Sequence, residues 1–180
     1  MVKTKLTDEL IITKSTPKEE VLAIGSHCDK SGHCCKFSGG FVLHDDIPKL
    51  AKHLNLKEDE IKEKFLNEHE SFNTKHFKLK TKTEGKPYGP CVFLGENNLC
   101  KIHESKPLHC KVGSCCHDAG EQLSIWFALN HFVNKDDPES IRQWAVYLKT
   151  HPTIPGGELH NLVPDKEELK KILSYEKLKR

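Results

Sequence analysis

His27-Cys28-Asp29-Lys30-Ser31-Gly32-His33-Cys34-Cys35 places three thiols within one short stretch. The remaining cysteines fall into two further groups: Cys91 with Cys100, and Cys110 with Cys115 and Cys116. All eight cysteines of the chain are clustered in this way. The first group lies far upstream of the others, so the fold must bring distant segments together. A shared metal is the economical reason, because thiolates bind zinc, iron and iron–sulfur clusters. The spacings, Cys28-x5-Cys34 and Cys110-x4-Cys115, contain no Cys-x-x-Cys. The zinc-ribbon pattern and the thioredoxin-type motif are therefore both absent. Cys116-His117 lacks the earlier cysteine that a c-type haem motif needs. Loop-gathered thiols of this kind favour an iron–sulfur cluster with a redox role, and the alternative is a structural zinc-binding module for protein or RNA interaction. Eight thiols allow one site or two.

The bulk numbers fit a small, polar domain. The chain has 180 residues, 36% apolar and 30% charged, with a formal net charge of +2. We expect one domain over 1–180, with a cysteine-cluster core at 20–118 and a helical C-terminal extension at 119–180. A small core leaves part of the stability to a metal. The near-neutral balance gives no global drive towards nucleic acid or an anionic membrane. The opening Met1-Val2-Lys3-Thr4-Lys5-Leu6-Thr7-Asp8-Glu9 lacks the apolar run of a signal peptide. No stretch has the apolar length of a membrane span. The expected compartment is cytoplasmic, where thiols stay reduced, and this disfavours a reading as four disulfides.

Working outward, the pattern predicts an α+β fold: a small cysteine-rich metal-binding core with a short β-hairpin, packed by several helices. Leu10-Ile11-Ile12 is a possible strand or docking arm. Thr16-Pro17-Lys18-Glu19 starts a helix that ends at Gly25, with Thr16 as cap. Gly39-Gly40 is a turn before a short strand, Phe41-Val42-Leu43. Ile47, Leu50, Ala51 and Leu54 repeat at helical spacing, and a second charged helical stretch runs from Lys57 to Glu70. Alternation predicts a strand over residues 76–82. Residues 91–94 and 99–102 flank Gly95-Glu96-Asn97-Asn98 as a hairpin, with Cys91 and Cys100 at its open end. Leu123, Ile125, Ala128, Leu129 and Phe132 form one helical stripe, and Ile141, Trp144, Ala145 and Leu148 form another after Asp137-Pro138. Residues 151–164 read as loop, and Asp165 to Glu168 start a last helix.

Together these motifs resemble the zinc- or iron-chelating CxxCxxCC family, also called YkgJ-like cysteine-cluster proteins. Cys28-Asp29-Lys30-Ser31-Gly32-His33-Cys34-Cys35 matches its opening element, with Ser31 where that family often carries a cysteine. Asp46-Ile47 matches its helix start. Gly89-Pro90-Cys91-Val92-Phe93-Leu94 and the run from Cys100 through Ile102-His103-Glu104 and Lys106-Pro107 to Cys110 match the rest. The resemblance implies metal binding through Cys28, Cys34, Cys35, Cys91, Cys100 and Cys110. Cys115 and Cys116 lie outside the pattern and can compensate for Ser31. A related cysteine-rich segment occurs in flagellin lysine methylases, which is consistent with an iron–sulfur cluster. No substrate domain is evident beside it, and no catalytic residue is singled out.

His27, His33, His109 and His117 each adjoin a cysteine, but neighbours in an extended chain point apart. We expect His103 and His109 to flank the ligands and to orient thiolates by hydrogen bonding rather than to bind metal. Asp45-Asp46 reads as a helix N-terminus. Lys78, Lys80 and Lys82 read as a solvated strand face, and Trp126 and Trp144 as core.

Overall fold

The structure is a computed structural model that describes residues 11–26, 31–83, 86, 88–113 and 119–178. Among these residues the fold is α+β, with nine helices and a three-stranded antiparallel sheet. Helix α1 spans Lys18–Gly25, α2 His33–Phe37, and β1 Phe41–Val42. A 3-10 turn at His44–Asp46 leads into α3 (Ile47–Leu54), then α4 (Glu58–Phe65). Strands β2 (Leu66–Ser71) and β3 (Thr74–Leu79) follow, then α5 (Leu108–Val112) and α6 (Gly120–His131). The last helices are α7 (Pro138–Tyr147), α8 (Leu159–Leu162) and α9 (Lys166–Leu173).

The start of the described chain is not a strand. Ile12 is buried, Lys14 N donates to Pro155 O at 2.9 Å, and Trp126 Nε1 donates to Thr16 O at 2.9 Å. It is an arm docked on α6; Leu10 lies outside the described residues. Pro17, not Thr16, stands at the N-cap of α1. The Thr16 hydroxyl instead accepts from Thr13 N at 2.9 Å, closing the turn that precedes the helix.

The sheet order is β1-β3-β2. The helix expected from Lys57 to Glu70 stops at Phe65, and β2 takes its second half. The reason is visible in the residues. Beyond Phe65 the helical stripe would need apolar groups where Glu68 and His69 stand. Antiparallel pairing to β3 along the whole of Leu66–Ser71 satisfies the backbone instead. Phe72 and Asn73 turn the hairpin, both at positive φ (52° and 54°). That is the geometry of the two-residue turn that matches strand twist.

The hairpin expected at 91–102 reduces to a single bridge, Leu94 to Cys100. Cys91 is bridged to Thr81 instead, and its N–H donates to Cys35 O at 2.7 Å. Leu94 N donates to Cys91 O at 2.9 Å, so the segment curls rather than extends. In the loop at 151–164 the structure adds the short α8.

Two apolar clusters form the core. One gathers α6, α7 and α9 with Ile12, Val21, Leu108 and Val112. The other gathers Val42, Leu50, Ile61, Phe93 and Ile102 with Cys91, and Cys35, Cys100 and Cys110 pack against it. Trp126 and Trp144 are buried in the first cluster, as expected, and Trp144 Nε1 donates to Gly157 O at 2.8 Å. Helix α6 buries Leu123, Ile125, Trp126, Phe127 and Leu129, more than one stripe, and is enclosed on several sides. Among the described residues no helix is long and apolar enough to cross a membrane.

Candidate metal centre

Five cysteines, Cys34, Cys35, Cys91, Cys100 and Cys110, line one cleft of about 700 Å³. Each arrives for a local reason. Gly32, at φ 68°, caps α2 in the left-handed conformation, and Cys35 N donates to Gly32 O at 3.0 Å. That turn places Cys34 and Cys35 on the first helical residues, with their Sγ atoms 3.8 Å apart. The backbone bond from Cys91 N to Cys35 O then joins the first cysteine group to the second. Cys100 sits on the bridge to Leu94, where Lys101 N donates to Phe93 O at 2.9 Å. Cys110 lies on α5, which follows the break at Pro107.

Gly40 makes room for that last thiol. A Cβ built on Gly40 would stand 2.1 Å from Cys110 Sγ. The Gly39-Gly40 pair reads from sequence as a turn; its second glycine also forms a cradle for sulfur. No signal in the chain alone links Gly40 to Cys110.

Burial pushes the Cys91 thiol up from its usual range, and the neighbouring thiols of Cys100 and Cys34 add to the shift. Burial raises Cys110 strongly, again with help from Cys91, Cys100 and Cys34. These thiols share one electrostatic environment. They ring the cleft rather than converge on a point: among the described residues no three His, Cys, Asp or Glu side chains form a group able to hold an ion. Cys28, Cys115 and Cys116, with His27 and His117, lie outside the described residues.

Thiols are the donors that a thiophilic metal takes, and one pair of them stands at ligand spacing. Four sulfurs about 2.3 Å from one tetrahedral ion stand roughly 3.8 Å from one another. The Cys34–Cys35 separation of 3.8 Å matches one edge of such a tetrahedron.

His103 and His109 both border the cleft. Burial holds His109 down at about 4, with Lys78 adding to the shift, so its imidazole is neutral at neutral pH. Its ring meets Phe41 and Phe127 edge-on, at 5.0 and 4.9 Å between centroids. His109 Nδ1 is buried and has no hydrogen-bond partner among the described residues. His33 is exposed and packs on Phe37, and Ser31 is exposed. Lys78 lies over the Phe41 ring, and Lys80 donates to Glu63 O, so this face is partly engaged by the protein itself. The lining of the cleft also includes Glu104, Lys106, Glu121 and Ser124.

Asp45 is exposed, whereas Asp46 is 4% exposed. Its Oδ2 accepts from Leu43 N at 3.2 Å and from Leu108 N at 3.1 Å. Sequence reasoning places Asp46 at a helix start but finds neither of these bonds.

A family model with the description "Putative zinc- or iron-chelating domain", CxxCxxCC, matches residues 27–119, and the chain belongs to that family. No curated protein and no solved structure matches it.

Proposed function

We propose that this chain holds a thiolate-bound metal centre in the cleft. Cys34, Cys35, Cys91, Cys100 and Cys110 supply ligands there, together with Cys28, Cys115 and Cys116 from the adjoining sequence. The observation that carries the reading is the gathering of five thiols from three distant segments around one cleft. The 3.8 Å between Cys34 Sγ and Cys35 Sγ suits two thiolates on one tetrahedral ion. The spread of the other thiols around the cleft leaves room for an iron–sulfur cluster, the occupant we favour, with a single zinc ion as the alternative.

A bound iron centre would supply one-electron chemistry, and a bound zinc ion a Lewis acid or a structural tie. The chain's own contribution is to keep the thiols poised. Burial holds Cys91 and Cys110 protonated until a metal displaces the protons. His103 and His109 stand beside them as orienting groups, and His109 presents a neutral ring. We place the protein in the cytoplasm, as a metal protein without membrane contact.

Metal and acid-labile sulfide analysis, on protein purified without oxygen, tests the reading. Iron with matching sulfide and visible absorption identifies the cluster. Stoichiometric zinc or iron without sulfide identifies a single-ion site. A chain with eight free thiols that takes up neither metal on reconstitution overturns the proposal.

A further inference from the structure

Asp46 touches no thiol, yet it spans the two elements that set where Cys110 sits. Its carboxylate is buried, and one oxygen, Oδ2, accepts two backbone N–H groups. Leu43 N, at the exit of β1, is 3.2 Å away. Leu108 N, at the entry of α5 and 62 residues distant in sequence, is 3.1 Å away. The other oxygen, Oδ1, faces the exposed Lys49 amine at 3.9 Å.

Helix α5 needs this contact. Its N-cap is Pro107, which has no N–H and no capping side chain, and no local group accepts from the first amide of the helix. Asp46 does so from across the fold. The same carboxylate fixes the end of the strand that begins just after Gly40. The Gly40–Cys110 contact leaves no slack, since a single added carbon there would stand 2.1 Å from the sulfur. The two sides of that contact are Gly40, just before β1, and Cys110 on α5, and Asp46 is bonded to Leu43, just after β1, and to Leu108 on α5.

We infer that Asp46 is a positioning residue for the metal centre, acting through the Leu108 amide to fix α5 and hence Cys110 Sγ. This rests on the thiolate reading above and deepens it. Asp46 exerts its effect through hydrogen-bond acceptance rather than through its charge. An asparagine whose carbonyl oxygen takes the place of Oδ2 can accept both N–H groups, whereas an alanine accepts neither.

The test is zinc affinity by chelator competition, together with the cobalt–thiolate absorption of Co²⁺-loaded protein, on the full chain. Four proteins are compared: wild type, Asp46→Ala, Asp46→Asn and Arg142→Ala. Arg142 is buried away from the cleft and donates to Ile172 O and Lys177 O, so its loss lowers stability without touching the site. Asp46→Ala is expected to weaken zinc binding by about 10–100-fold, the usual range for groups that hold ligands in place, and to alter the cobalt spectrum. Asp46→Asn is expected to restore affinity to within about threefold of wild type (a single retained acceptor geometry). Arg142→Ala is expected to bind zinc as wild type does. Asp46→Ala binding like wild type, or losing no more affinity than Arg142→Ala, overturns the inference. If Asp46→Ala does not fold, Leu108→Pro decides. It deletes the donating N–H at a first-turn position where Pro107 is already extended (φ −54°, ψ 157°) and so tolerates a following proline. Leu108 is also buried in the core, so Leu108→Ala, which keeps the N–H, is the reference. A loss in Leu108→Pro no greater than in Leu108→Ala overturns the inference, and a further loss of tenfold or more, on the same scale, supports it. A wild-type chain that binds neither metal overturns the thiolate reading itself, a separate outcome.

Discussion

Gly40 leaves no space for a side chain, and its neighbour is a sulfur rather than a methyl group. Gly40→Ala is therefore expected to displace Cys110 and to weaken zinc or iron binding by about tenfold or more, as small misplacements of ligands do. Chelator competition reads the loss, and unchanged affinity would refute the cradle. His76 gives a second prediction at this scale. Its ring stacks on Phe132 at 3.8 Å and 8°, Nε2 shares a hydrogen bond with Ser71 Oγ at 3.0 Å, and Nδ1 is buried without a partner among the described residues. Burial, aided by nearby His69, lowers its pKa to about 4. The folded value lies below the unfolded one, about 6.5, so the neutral ring favours the fold. That stability is fully present above about pH 6.5 and is lost as pH falls towards 4. His76→Phe keeps the stack and cannot titrate. Urea unfolding at pH 7 and pH 5 should show a smaller acid loss in the variant, and an unchanged pH dependence would dismiss the assignment. The cysteine positions and the core tryptophans were legible as residues. The second bond of Asp46 and the Gly40 cradle were not, because both are contacts between segments that no local spacing records.

The β2–β3 hairpin carries a local conflict that tertiary packing resolves. Phe72 takes a left-handed conformation at φ 52°, which costs a non-glycine residue about 1 kcal/mol. Its ring is held there by Trp144 at 5.4 Å and Tyr147 at 6.0 Å between centroids. Asn73 adds bonds to Asp137 Oδ2 at 2.6 Å and Gln143 Oε1 at 2.9 Å. Phe72→Gly removes the backbone cost but also the half-buried ring, worth roughly 2–3 kcal/mol. The ring wins, so the variant should be less stable by about 1–2 kcal/mol. Chemical denaturation checks this, and a stabilised variant would mean that the ring contributes little. The helices with clear stripes, α3, α7 and α9, lie where the 3.6-residue period places them. The capping by Asp165, which accepts from Glu167 N and Glu168 N, was also readable. Strand β2 was not, because Asn67 to Glu70 are all exposed and backbone pairing alone defines the strand.

Across the whole molecule, α5 divides its side chains between two cores. Leu108 and Val112 belong to the cluster of the C-terminal helices, and Cys110 faces the cluster around the thiols. A metal bound at the thiols would thus brace the second cluster directly and the first through this short helix and through Phe41 and Leu43, which pack on it on either side of Val42. Stripping metal from loaded protein is expected to lower Tm. With ligand at a hundredfold excess over Kd, the stabilisation lost is about 2.7 kcal/mol, or about 5–10 °C for a chain of this size. Hydrogen exchange should then quicken in α3, α5 and residues 91–102 more than in α7 and α9. Uniform quickening, or no change in Tm, would contradict this division. The α+β class and the chain's membership of the chelating family were readable from motif order. The division of the core was not, since it depends on which side of a five-residue helix meets which neighbour.

The backbone bond from Cys91 N to Cys35 O also bears on how the chain reaches its fold. Thiols in a local knuckle can capture a metal while the rest of the polypeptide is still a coil. Here the cysteine groups meet only after long loops have closed, which makes the site a late event with high contact order. The apo chain must therefore find its topology unaided, and the ion selects a structure already built. Refolding rates measured by stopped flow should be the same with and without zinc, while unfolding slows when zinc is present. A refolding rate that climbs with zinc concentration would show that the thiols assemble before the fold does.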